Sequence, residues 1–163
     1  MNLNEVIPQS QYDDVTSQDY CDIDWEFLGF TEIYEALSRI IPVHFTVIDL
    51  GCAYAPQSFY FQDHKAYIGV DYFTLKRFHA RNTQHLLMTI ETFIDSEISK
   101  YDLDETFAIC SYVPSSIAAK QARMTFPNIF TFYPSFKNMA DFFAGAKPKA
   151  SIVIPAREGA EVS

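Results

Sequence analysis

Six short apolar runs mark out this chain: Phe45–Leu50, Ala66–Asp71, His85–Thr89, Thr106–Cys110, Asn128–Phe132 and Ala150–Ile154. The first, Phe45-Thr46-Val47-Ile48-Asp49-Leu50, is rich in β-branched residues and has no polar alternation. That composition suits a strand covered on both faces. The stretches between the runs are long enough for helices, which are expected near 56–62, 74–82, 91–100, 115–124 and 135–145. Strands alternating with helices predict a three-layer α/β domain, with a mostly parallel sheet of about six strands and helices on both faces. The expected spatial order is 3-2-1-4-5-6, with the direction of winding reversing between strands one and four.

Upstream, Phe27, Phe30, Ile33, Tyr34, Leu37, Ile40 and Ile41 recur at three- and four-residue steps, as one apolar face of a helix does. Pro42 ends that helix, because proline biases its predecessor away from helical angles. Residues 1–24 differ in kind. They hold six acids (Glu5, Asp13, Asp14, Asp19, Asp22, Asp24), no Lys or Arg, and no helical or strand period. They read as an extended acidic N-terminal arm, followed by the α/β domain over 25–163. Tyr12 and Tyr20 either anchor the arm to the body or fold with it over a ligand mouth.

With 48% hydrophobic and 20% charged residues, the 163-residue chain makes one ordinary domain with a substantial core. The 12 basic and 21 acidic residues give a formal charge of −9, which offers phosphate backbones few partners. Duplex nucleic acid is therefore a poor default partner, and the chain does not say which small molecule or protein would be its substrate. Met1-Asn2-Leu3-Asn4-Glu5 lacks the cationic head and apolar stretch of a secretory leader. No run reaches the roughly 18–20 apolar residues of a membrane span. Cys21, Cys52 and Cys110 are odd in number and too scattered for a disulfide framework or a metal site. The expectation is a cytoplasmic protein with free thiols and no membrane contact.

Ligands in open parallel sheets bind beyond the carboxyl ends of the strands, so the informative residues follow each run. After the first comes Asp49-Leu50-Gly51-Cys52-Ala53-Tyr54-Ala55, whose small residues let a ligand approach the main chain. Asp71 ends the second run, 20 residues after Gly51, a spacing that suits an acid on ribose hydroxyls. Strand, Asp-x-Gly-x-Ala-x-Ala, helix, strand and terminal acid together resemble the class I S-adenosylmethionine-dependent methyltransferases, a Rossmann-like family. The resemblance covers about residues 25–155. It implies S-adenosylmethionine as cofactor and methyl transfer to an acceptor that the chain does not name. By that resemblance Asp49 orients the methionine amino group, directly or through water, and Gly51 and Ala53 pass beneath the cofactor. Asp71 binds the ribose, Tyr72 lies beside the adenine, and Glu91 of Thr89-Ile90-Glu91 meets the adenine edge. Ser111 of Cys110-Ser111-Tyr112 faces the methyl group. Phe132, Tyr133 and Phe136, with Tyr112, gather near strand ends and would suit an apolar or planar substrate.

The chain departs from the family pattern in three places. Of the usual Gly-x-Gly-x-Gly only Gly51 is a glycine, and Tyr54 and Pro56 narrow the turn. Ser111-Tyr112-Val113-Pro114 lacks the adjacent prolines of the motif that marks amino-group methylation. About nine residues follow the sixth run, fewer than the family's final antiparallel hairpin takes up. These departures carry the alternative, a non-catalytic binding or interaction protein that keeps the fold. Asp71 would then cap a following helix and Glu91 would be a first-turn acid. Cys52 and Cys110 read as inert small residues, and the four histidines stand singly. Lys76, Arg77 and Arg81 read as a solvated helix face.

Overall fold

The computed structural model describes residues 12–13, 30–72, 77–111, 116–135 and 149–153. Thr46–Leu50 (β1), buried along its whole length, lies inside the main sheet. Around it run Ala66–Val70 (β2), Thr83–Leu86 (β3), Thr106–Ser111 (β4), Ile129–Ser135 (β5) and Lys149–Val153 (β6). The order is β3-β2-β1-β4-β5-β6, as expected, with the reversal between β1 and β4. The first five strands are parallel, and Ile48 stands between Ile68 of β2 and Ala108 of β4. β6 runs antiparallel to β5, with Ile152 opposite Phe132. An apolar run carries no mark of its direction, so this reversal was not readable beforehand.

The period of two along β1 sorts its side chains into two layers. Val47 packs with Tyr34, Leu37, Ile41 and Phe61. Ile48 and Leu50 pack with Ile90, Phe93, Ala118 and Ala122 on the other face. Phe30–Ile40 (α1) and the 3-10 helix Pro56–Phe61 cover the first layer. Ile90–Ser96 (α2) and Ser116–Thr125 (α3) cover the second, where three buried alanines let α3 lie close to the sheet. Thr89 starts α2 by accepting the Thr92 N–H at 3.1 Å. Each large side chain so buried contributes roughly 1.5–3 kcal/mol. Among the described residues, no helix is long and apolar enough to cross a membrane.

Several local expectations are corrected. The helix near 74–82 is absent from its described part. Instead Arg77–Phe78 is extended and pairs antiparallel with Tyr12–Asp13. The cause is tertiary: the backbone of Phe78 bonds to the Tyr54 carbonyl and to the His85 ring, which a helix would forbid. Arg81 therefore lies in a turn, where its Nη2 meets Asp63 Oδ1 at 2.7 Å, an exposed pair worth little. The segment expected near 91–100 breaks at Glu97, and Ile98–Lys100 continues as a 3-10 turn. Ile40 is 65% exposed and is not part of the apolar face of α1. The expected helix near 135–145, apart from Ser135 at the end of β5, lies outside the described residues. Phe27, Tyr20 and Cys21 lie outside them as well, while Cys52 and Cys110 are buried and joined in no disulfide.

Candidate functional site

The turn after β1 lies at the carboxyl ends of β1, β2 and β4, and its backbone is unusual. Gly51 has φ 78, and Ala53 and Ala55 have φ 50 and 58, left-handed angles that glycine adopts freely but alanine resists. Such a path persists only where surroundings hold it. The Gly51 and Cys52 N–H groups donate to the Val70 carbonyl at 2.8 and 3.2 Å. Ala53 N–H donates to Asp71 Oδ2 at 3.0 Å. Gln57 Nε2 donates both to the Cys52 carbonyl at 3.0 Å and to Asp49 Oδ2 at 2.8 Å.

Asp49 is the hub beneath this turn. Its residue is fully buried, and its carboxylate also accepts from Tyr34 Oη at 3.0 Å and from Tyr67 Oη. Burial raises its pKa to about 6, against the opposing pull of the donors Tyr67, Gln57 and Tyr34, with Asp71 adding a small upward push. The Tyr67 phenol is pushed well above its usual range, by burial first and then by the neighbouring Asp49 charge.

The expected site residues thus fall into two groups. Asp49, Gly51, Ala53 and Asp71 are brought together at one turn. Tyr72 follows directly and is 66% exposed. Ser111 ends β4, one residue past the Leu50–Cys110 register pair. Glu91 stands in the first turn of α2, beyond β3 and two strands from the turn. Tyr112, Val113, Pro114 and Phe136 lie outside the described residues, and Phe132 and Tyr133 belong to β5. Burial pushes the Cys110 thiol up to about 12, which leaves it inert near neutral pH. Among the described residues no cluster of three His, Cys, Asp or Glu side chains could hold a metal.

Sequence reasoning missed Gln57, Tyr34 and Tyr67, whose polar ends reach Asp49 from three separate elements. The third run was expected at His85–Thr89, but the strand is Thr83–Leu86 (β3), so Leu87, 54% exposed, follows the strand instead of lying inside it. Gly69 was missed as well. It sits between Asp49 of β1 and His85 of β3 in register. A Cβ there would lie 2.6 Å from His85 Nδ1 and 2.9 Å from Cys52 Sγ. Gly69→Ala is expected to lower stability by about 1–3 kcal/mol in urea unfolding, because the ring is held and cannot swing aside. An unchanged midpoint would show that it can.

No protein-family model matches the chain, and no curated protein matches it in sequence. Among solved structures it is similar to the plantazolicin methyltransferase BamL, determined with a triazolic desmethylPZN analog and SAH. That match has a TM-score of 0.55 at 12% identity, over 82% of this chain and 56% of that one. The fold is that of the class I methyltransferases. The plantazolicin methyltransferase BpumL, in complex with SAH, matches at TM-score 0.52 and 13% identity, over 82% of this chain and 57% of that one. The chain spans a little over half the length of these two structures.

Proposed function

We propose that the protein binds S-adenosylmethionine at the turn after β1 and serves as a methyltransferase for a small-molecule or protein acceptor. The observation that carries this reading is the meeting of Asp71 with the left-handed turn at Ala53, which joins the two parts of an adenosyl site at the sheet's reversal. The residues present fit that ligand at its adenosyl end. Asp71 is only partly buried, and Tyr72 and Leu87 expose apolar surface at the ends of β2 and β3. A ribose would meet Asp71, and an adenine would lie against Tyr72 and Leu87, with Glu91 on its far side.

When bound, the cofactor would supply an electrophilic methyl group on a sulfonium. The chain's own contribution is alignment, which can do much of the work of an in-line transfer. Gly51 lets the ligand reach the backbone, and Ser111 stands on the acceptor side of it. Asp49 belongs beneath the ligand in this reading. Both of its oxygens accept from core side chains, so it acts by fixing the turn through Gln57 and the Cys52 carbonyl.

One observation favours a second reading, a binding or interaction protein without methyl transfer. Asp71 Oδ2 already accepts from Ala53 N–H, so part of the ribose acceptor is engaged by the chain itself. Calorimetric titration with S-adenosylmethionine and S-adenosylhomocysteine decides between them. Binding of both is expected, and binding of neither would overturn the cofactor assignment and leave the second reading.

A further inference from the structure

We propose that His85 is a positioning residue of the ligand turn, acting on it through the backbone of Phe78. The inference rests on the reading of that turn as the cofactor site. Tyr54 stands between the two left-handed alanines, Ala53 and Ala55, where the chain most needs an outside hold. Its carbonyl accepts the N–H of Phe78 at 2.8 Å. The carbonyl of Phe78 in turn lies 2.9 Å from His85 Nε2. A carbonyl can only accept, so Nε2 carries the proton. Both polar backbone groups of Phe78 therefore face the body. The Arg77–Phe78 strand consequently offers its other edge, through Arg77, to Asp13 of the arm.

The far end of this chain of contacts is rigid. The His85 side chain rises from β3 over Gly69, where the missing Cβ makes room for the ring. The His79 ring packs edge-on at 4.6 Å between centroids, and the Tyr67 ring at 6.4 Å. Phe78 is fully buried, so its main chain cannot exchange these bonds for water. The sheet thus sets the height of the imidazole, the imidazole sets Phe78, and Phe78 sets Tyr54. This strut occupies the place where a second helix was expected.

The test compares wild type, His85→Ala and His85→Gln, whose amide can still donate to the Phe78 carbonyl. Backbone hydrogen exchange is read at Phe78 and Ala53, with Ile48 and Ile109 as references, and S-adenosylhomocysteine affinity is titrated on the same proteins. In His85→Ala, exchange at Phe78 and Ala53 is expected to quicken about tenfold relative to the reference amides, and affinity to fall about tenfold, as for one lost buried hydrogen bond. His85→Gln is expected to recover most of both. A uniform rise across all four amides, no rise at all, or no recovery in His85→Gln would overturn the proposal. If wild type binds no S-adenosylhomocysteine, the cofactor reading fails, and the exchange pattern alone decides whether His85 holds the turn. Should His85→Ala not fold, His85→Gln decides: wild-type exchange at Phe78 supports the strut, and tenfold faster exchange there refutes it.

Discussion

Asp71→Ala is expected to weaken S-adenosylhomocysteine binding roughly ten- to a hundredfold, a loss of about 1.5–3 kcal/mol. A carboxylate makes stronger hydrogen bonds to ribose hydroxyls than a neutral acceptor does. The same substitution removes the acceptor for Ala53 N–H, so the turn loses one of its holds together with the ligand contact. Asp71→Asn separates the two effects. Its amide oxygen can still take the Ala53 N–H, so the turn should stand while the charge on the ribose side is gone, and the loss should be smaller. Melting curves without ligand check the fold, since a lost half-exposed hydrogen bond should cost no more than about 1 kcal/mol. Unchanged affinity in a folded Asp71→Ala protein would move the ligand away from β2.

The architecture was legible because it depends on pattern. Runs such as Val47-Ile48 and Ile68-Gly69-Val70 are apolar without interruption, and only a sheet covered on both sides can use them. Once β1 is such a strand, right-handed crossovers leave few orders open, and the observed one follows. What depends on contacts between distant segments was not legible. The span 74–82 has no breaker that forbids a helix. Its described part, 77–82, is drawn out of helical form by the Tyr54 carbonyl, the His85 ring and the Tyr12–Asp13 strand, contacts that the local pattern does not announce.

The site divides the same way. Asp71 and Gly51 could be placed at strand ends because position after a strand is a sequence property. The role of Asp49 was hidden by its own strand: period two aims it into the layer of Tyr34 and Tyr67, on the same side as Val47. Nothing in the local sequence says that two phenols and an amide will converge there. The left-handed alanines were hidden too, since Ala53 and Ala55 suggest small size but not positive φ. Their path is affordable only because Asp71, Gln57 and Phe78 each take one of the turn's polar groups.

The buried hub makes the protein's stability depend on pH in an unusual direction. Asp49 has its pKa raised from 3.8 to about 6, with burial as the largest cause. The folded protein therefore holds this proton more tightly than the unfolded chain does. Its contribution to stability is fully present below about pH 4 and is lost as pH rises through about 6, the reverse of a salt-bridged carboxylate. The shift corresponds to a loss on the order of 3 kcal/mol across that window. Other carboxylates also titrate there, so wild type must be compared with Asp49→Asn, which cannot ionise. Any fixed cost of rearranging the Tyr34, Tyr67 and Gln57 donors around the amide is the same at every pH and cancels from the comparison. Urea unfolding at about pH 4 and about pH 7.5 should show wild type losing on the order of 3 kcal/mol relative to Asp49→Asn between the two. A difference that stays constant with pH would mean that the three donors stabilise the charge fully and that burial costs it nothing. Asp71→Ala should narrow the effect slightly, because the Asp71 charge is one of the groups that keeps Asp49 protonated.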